Sequence, residues 1–148
     1  MTNPLLTESL DSALVGRWMT ANPYTCTQYA SLADVRDMMA EYQCRRLPVL
    51  DEGGHLIGIV SLGDLRQAAP SSITSLSQFE INYLWTRLQV SEAMTPNPIT
   101  VHPTNSLKIA CQHMLKHRIS GLPVVEENQV VGILTETDVL RFVVSLPW

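Results

Sequence analysis

GIVSLGD at residues 58–64 and GILTETD at residues 132–138 are one heptad written twice. Each opens on a glycine, passes two apolar residues to a hydroxyl side chain, and sets an aspartate three positions after that hydroxyl. Working outward, a shift of 75 residues lays Met19-Thr20 on Met94-Thr95, Pro23 on Pro98, Thr25 on Thr100 and Ser31-Leu32 on Ser106-Leu107. The same shift puts Met39 on Met114 and Leu47-Pro48-Val49 on Leu122-Pro123-Val124. One residue lost in the next turn (DEGGHL against EENQV) then brings Gly58 onto Gly132 at a shift of 74. A self-match of this length is an internal duplication, so the fold is built from two similar units.

Both copies carry the same order of signals. A Pro-containing extended stretch, NPYTCT or NPITVH, leads into a stretch with apolar residues at helical spacing. These are Leu32, Val35, Met39 and Tyr42 in the first copy, and Leu107, Cys111, Met114 and Leu115 in the second. Ser31, and Asn105 or Ser106, are natural N-caps for these helices. Two short apolar strands follow, LPVL with LIGIV and LPVV with VVGIL, separated by turn residues and read as hairpins. A last helix opens at the hydroxyl of the heptad. The expectation is an α+β fold in which each unit runs strand, helix, strand, strand, helix over about 50 residues, too few to bury a sufficient core alone. The two units are therefore expected to bury their apolar strand faces against each other with pseudo-two-fold symmetry.

Composition bounds what the chain can do. Of 148 residues, 45% are hydrophobic and 16% charged, as in a soluble globular protein. A net charge of −4 argues against capture of nucleic acid, which relies on clustered Lys and Arg. Cys26, Cys44 and Cys111 are odd in number and lack C-x-x-C spacing, so they read as buried reduced thiols. The first residues show no basic segment before an apolar run, and no stretch of about 18 apolar residues occurs, so a cytoplasmic protein without membrane association is expected.

Between the copies, Ser77-Gln78-Phe79-Glu80 fits a capping box and Leu76 with Ile81 a hydrophobic staple. A connecting helix of about ten residues is predicted, with Ile81, Leu84, Trp85 and Leu88 on one face, docking on the core or on a second subunit. The predicted organisation is an N-terminal segment 1–14, a first repeat 15–69, a connector 70–89, a second repeat 90–144 and a tail 145–148.

The heptad permits two chemistries. Ser61 with Asp64, and Thr135 with Asp138, have the spacing of an N-cap and its N3 partner, so each pair could simply satisfy helix-start amides. The glycine could merely allow close strand packing. Alternatively, a helix N-terminus beside a hydroxyl is an anion site, and an aspartate one turn on can accept hydrogen bonds from a ribose diol. An adenine slot could come from Pro98-Ile99-Thr100 with Leu122-Pro123.

Together, the doubled M-T-x-x-P, L-P-V and G-[IV]-[VL]-[ST]-x-x-D resemble a tandem pair of cystathionine beta-synthase (CBS) domains, a Bateman module, from about Val15 to Leu140. The connector is similar to that of bacterial acetoin-utilisation-type CBS proteins, in which an ACT domain often follows; with the sequence ending at Trp148, none is expected here. The resemblance implies a regulatory module that binds AMP, ADP, ATP or S-adenosylmethionine in clefts between its domains and needs no other cofactor. Two such modules are expected to pair as a homodimer through their terminal helices, including the apolar faces of TDVLRFVV and the connector. It assigns phosphate and ribose contacts to Ser61 and Asp64 in one site and to Thr135 and Asp138 in the other. His117-Arg118-Ile119-Ser120-Gly121 resembles the H-R-[IV] stretch that meets phosphates in nucleotide-binding members, whereas the first copy has Tyr42-Gln43-Cys44-Arg45-Arg46 there. Two non-equivalent sites follow, with Arg45 and Arg46 meeting phosphate in one and His117 and Arg118 in the other; the alternative is that these are solvated charges. The ligand-binding candidates in the first copy are thus Pro23, Tyr24, Thr25, Arg45, Arg46, Leu47, Pro48, Ser61 and Asp64. Those in the second are Pro98, Ile99, Thr100, His117, Arg118, Ser120, Leu122, Pro123, Thr135 and Asp138.

Other constellations carry less. His113 and His117 stand at i, i+4 without an apparent third metal ligand. Asp34, Asp37 and Glu41 read as a solvated helix face. No nucleophile with a plausible base and no phosphate-binding Gly-rich loop is present, so no catalysis is expected. The expected role is to sense an adenosine-containing ligand and signal to an unidentified regulated protein. The competing expectation is a dimeric scaffold whose nucleotide sites are empty or vestigial.

Overall fold

A computed structural model describes residues 9–68 and 75–147. In chain order the elements are α1 (Val15–Trp18), β1 (Thr20–Ala21), β2 (Cys26–Thr27), α2 (Leu32–Tyr42), β3 (Arg46–Leu50), β4 (Leu56–Ser61) and α3 (Leu62–Ala68). There follow α4 (Gln78–Arg87), a 3-10 turn at Val90–Glu92, β5 (Thr95–Pro96), α5 (Leu107–His117), β6 (Gly121–Glu126), β7 (Gln129–Thr135) and α6 (Glu136–Ser145). From α2 and again from α5 the order helix, strand, strand, helix recurs, as the duplication requires; β2 has no full counterpart before α5, where Val101 makes only an isolated parallel bridge to Val124.

The chain divides into two compact units, one of Tyr24–Pro98 and the other of Met1–Pro23 with Ile99–Trp148. Within the first, the sheet order is β2-β3-β4-β5. The β3–β4 hairpin pairs Leu47 with Val60 and Val49 with Gly58, and β2 runs parallel to β3. Its core gathers Leu32, Val35, Met39, Leu47, Val49, Val60, Leu65 and Val90, with Cys26 at its edge. In the second unit the order is β1-β7-β6, with Leu122 opposite Leu134 and Val124 opposite Gly132. That hairpin turns through Glu127 and Asn128, both at positive φ (51° and 63°), the two-residue geometry that follows the twist of the strands. Its core holds Val15, Val101, Leu107, Ala110, Met114, Leu122, Val124, Leu134 and Phe142.

The segment before each repeat's first helix belongs to the unit of the other repeat. Strand β1, from the first repeat, pairs with β7 of the second, Ala21 opposite Gly132. Strand β5, from the second, pairs with β4 of the first, Gly58 opposite Pro96. The upstream segments follow suit: the amide of Leu107 donates to the carbonyl of Ala13 at 2.8 Å, and that of Leu32 to Leu88 at 2.9 Å. This exchange explains why the heptad begins with glycine. A Cβ at Gly132 would strike Met19 Sδ and lie 3.0 Å from the carbonyl of Thr20; one at Gly58 would strike Met94 Sδ and lie 3.1 Å from the carbonyl of Thr95. The M-T pair and the glycine, 113 residues apart for Met19 and Gly132, are two halves of one contact.

Helix signals resolve as follows. Ser31 caps α2 reciprocally with Asp34, and Ser106 caps α5 by accepting from the amide of Ile109 at 3.3 Å. Asn105 instead accepts from the amide of His102, so of the two candidates Ser106 is the cap. The predicted apolar stripe of α5 is corrected at one position: Leu107, Ala110 and Met114 are buried, while Leu115 is 81% exposed. Tyr42 also leaves the core face of α2. Its ring stacks on Tyr24, centroids 3.8 Å apart and planes 10° from parallel. The connecting helix is α4, capped by Ser77 accepting from the amide of Glu80 at 3.2 Å. Trp85 and Leu88 dock it on the core of the Tyr24–Pro98 unit, with the Arg36 guanidinium 5.4 Å over the Trp85 ring. No described helix is long and apolar enough to cross a membrane.

Candidate functional site

Each unit has a corner where the second hairpin strand turns into a helix. In the Tyr24–Pro98 unit, β3 holds Arg46 opposite Ser61, and the amide of Leu62 donates to the carbonyl of Arg45 at 2.8 Å. The chain reverses there into α3. Ser61 Oγ accepts from the amide of Asp64 at 3.1 Å, and Asp64 Oδ2 accepts from the amide of Ser61 at 2.8 Å. Two helix-start donors are thereby satisfied by one short segment.

The corner at the start of α6 repeats this frame with different hydrogen bonding. Gly121 lies opposite Thr135, and the amide of Glu136 donates to the carbonyl of Ser120 at 3.1 Å. Asp138 is 2% exposed. Its Oδ2 accepts from the Thr135 amide at 2.9 Å and from the Thr135 hydroxyl at 3.3 Å, and its Oδ1 accepts from Arg141 Nη1 at 3.0 Å. In the first repeat, Gln67 stands in the register of Arg141. A buried carboxylate is costly unless hydrogen-bonded and paired, and Asp138 is both.

The other candidate residues fall into three groups. Leu47 and Leu122 are fully buried core side chains, and Pro48 and Pro123 are buried beside them. Their side chains are inaccessible, and the Pro123 carbonyl accepts from the amide of Val101 at 3.1 Å. Among the residues of the M-T-x-x-P stretches and just beyond them, Tyr24, Thr25 and Pro98 belong to the Tyr24–Pro98 unit, and Pro23, Ile99 and Thr100 to the other. Ile99 packs on its unit's core and Thr100 is exposed, while Thr25, Pro23 and Pro98 are half-buried. The basic candidates Arg45, His117 and Arg118 are exposed, Arg46 and Ser120 half-buried. Arg118 ends α5 in the left-handed region (φ 54°), as Gln43 ends α2 (φ 52°).

Two features join this picture that sequence reading does not contain: the Arg141 partner of Asp138, and the stacking of Tyr42 on Tyr24. Arg141, at i+3 from Asp138 on a helix, was findable from spacing. The partnership of Tyr42 with Tyr24 had no local signal, because it joins a helix end to a residue two positions before β2. Burial pushes the Cys26 thiol up to about 12, and raises Cys44 and Cys111 from their ordinary value as well. Only Cys26 of the three is fully buried, but all stay protonated and poorly nucleophilic. Among the described residues no group of three or more His, Cys, Asp and Glu is placed to hold a metal ion.

With this geometry in place, comparison with known proteins defines the class. Residues 15–71 and 90–145 match the CBS domain family, and the chain belongs to it. Similar solved structures are CBS-domain proteins. The CBS pair of protein MJ0100, in complex with 5′-methylthioadenosine and S-adenosyl-L-methionine, is 29% identical with a TM-score of 0.73, covering 88% of this chain and 95% of that one. A putative acetoin utilization protein (AcuB) from Vibrio cholerae is 31% identical, TM-score 0.71, covering 88% and 90%. CBSX2 of Arabidopsis thaliana, in complex with AMP, is 26% identical, TM-score 0.76, covering 92% and 99%. The chain spans about a quarter of the length of the first curated relatives it matches, homoserine O-acetyltransferases of methanogens among them. The likeness to those enzymes is to a part of each.

Proposed function

We propose that this protein is a non-catalytic regulatory module that binds an adenosine-containing ligand, AMP, ADP, ATP or S-adenosylmethionine, at the hydroxyl–aspartate corners and passes the bound state to a partner protein. The observation that carries this reading is the pair of corners themselves. Each sets a hydroxyl and a carboxylate at the start of a helix, where amides and the helix dipole favour an anion and the carboxylate can accept from a sugar. Relatives of this fold solved with AMP or with S-adenosyl-L-methionine support the ligand class. A ligand shifts the module between arrangements only as far as its affinities for them differ. The same reading includes a homodimer, supported by the exposed Leu140 (61%) and Val144 (77%) at i, i+4 on α6; sedimentation velocity tests it, and a monomer at working concentration excludes it.

One observation favours the competing scaffold. Both carboxylates already satisfy their own helix starts, and Asp138 is nearly inaccessible. Isothermal titration with the four ligands at matched salt decides between them. The sensor reading expects micromolar binding by at least one, lost in the Asp64→Ala, Asp138→Ala double variant while the fold is kept. Silence from all four hands the corners to a purely capping role and the protein to the scaffold class. Binding that survives in the double variant places the site elsewhere.

A further inference from the structure

We propose that Arg141 is a positioning residue that makes the second corner selective for ribose over 2′-deoxyribose, by fixing the plane of the Asp138 carboxylate. The inference rests on the reading above, in which Asp138 meets the ligand's sugar. A carboxylate turns about a broad, nearly two-fold torsion unless both its oxygens are held. Asp138 is held at both: Oδ2 by the Thr135 amide and hydroxyl, Oδ1 by Arg141 Nη1 at 3.0 Å. Asp64 shows one hold only, the Ser61 amide on Oδ2 at 2.8 Å, and no cation lies within ion-pair distance of it among the described residues. Gln67 stands where Arg141 would be.

The difference matters because a sugar diol donates two hydrogen bonds whose directions are fixed by the ring. A carboxylate oriented beforehand receives both without losing rotational freedom on binding, and an analogue lacking one hydroxyl forfeits one of these charge-assisted hydrogen bonds. Arg141 also offsets the charge of Asp138, so that a phosphate-bearing ligand meets a neutral pair rather than a bare carboxylate. Folding gains little from the ion pair, because the Arg141 side chain is 67% exposed and its charge is screened by water. A role confined to stability would therefore leave little trace, whereas a role in sugar choice has a direct readout.

The test measures the affinities of AMP and 2′-deoxy-AMP in an Asp64→Ala background, so that only the second corner reports. With Arg141 intact, AMP is expected to bind about tenfold more tightly than its 2′-deoxy analogue, or better. Arg141→Gln, which copies the first repeat, should bring the two affinities together with the cooperative fold kept and the thermal midpoint lowered no further than the lost partner of the buried Asp138 accounts for, and Arg141→Lys should restore most of the preference. A preference untouched by Arg141→Gln overturns the positioning role and leaves the sensor reading standing. Equal binding of both ligands with Arg141 intact overturns the sugar contact on which the inference rests. If neither nucleotide binds in this background but AMP binds the unaltered chain, the second corner is not a site and the inference fails. If AMP does not bind the unaltered chain either, AMP recognition and this inference fall together.

Discussion

Glycine, hydroxyl and aspartate in the heptad answer to three different neighbours. Gly132 is set by the chain crossing it, because any Cβ there meets Met19 Sδ and the backbone of β1. Thr135 and Asp138 are set by the start of their own helix, and Asp138 additionally by Arg141. Gly132→Ala is therefore expected to lower stability by about 1–3 kcal/mol through overpacking. Equilibrium unfolding in urea measures it. In the Met19→Ala background the same substitution should cost clearly less, since the sulfur is then gone; a full-sized cost there would place the clash at the Thr20 carbonyl instead. Gly63 is the contrast, because a Cβ at that position would meet only Ser61 Oγ, at 3.6 Å. The spacing of hydroxyl and acid was legible in the sequence; which oxygen accepts from which donor was not. The hydroxyl of Ser61 receives the Asp64 amide, whereas that of Thr135 gives its proton to Asp138.

Helices were read correctly where apolar spacing and a capping residue agreed. Helices α2, α4 and α5 begin immediately after Ser31, Ser77 and Ser106, each with a serine oxygen accepting from a first-turn amide. Hairpins were also legible, since two short apolar runs around turn residues have few other pairings. Spacing erred at Leu115, which periodicity assigned to the buried face and which the packing leaves outside, with Ala110 taking the inner position. A small residue gives weak periodic signal, yet Ala110 is fully buried. For the connector, two of the four predicted face residues, Trp85 and Leu88, pack on the core of its own unit. Trp85→Ala is expected to destabilise that unit by about 2 kcal/mol, less than a fully buried tryptophan because the ring is half-buried. Phe79→Ala, at a ring 80% exposed, should stay within about 0.5 kcal/mol. Guanidinium unfolding of both variants checks the pair, and equal effects would mean that α4 docks through its other face.

Across the whole molecule, the units of sequence and the units of packing do not coincide. The repeats matched as CBS domains run 15–71 and 90–145, whereas the compact bodies are Tyr24–Pro98 and Met1–Pro23 with Ile99–Trp148. A fragment cut as residues 24–98 keeps its sheet and the core residues Val90, Trp85 and Leu88 together. A fragment cut as residues 15–71 loses all three and the strand β5 that covers Gly58. The first is expected to unfold cooperatively on heating and the second to show no cooperative transition, as read by circular dichroism. Cooperative unfolding of the second would mean that the exchanged segments contribute little. The sequence by itself determined the duplication, the helix–strand–strand–helix order of each copy, the caps at Ser31 and Ser77 and the spacing of the hydroxyl–aspartate corners, because all of these are written in local spacing. Only the tertiary structure decided which repeat's M-T strand covers which glycine, that Tyr42 stacks on Tyr24, and that Asp138 is buried. Those outcomes depend on contacts between segments distant in the chain, and two repeats that share the motif offer an M-T strand two glycines it fits equally well by pattern alone.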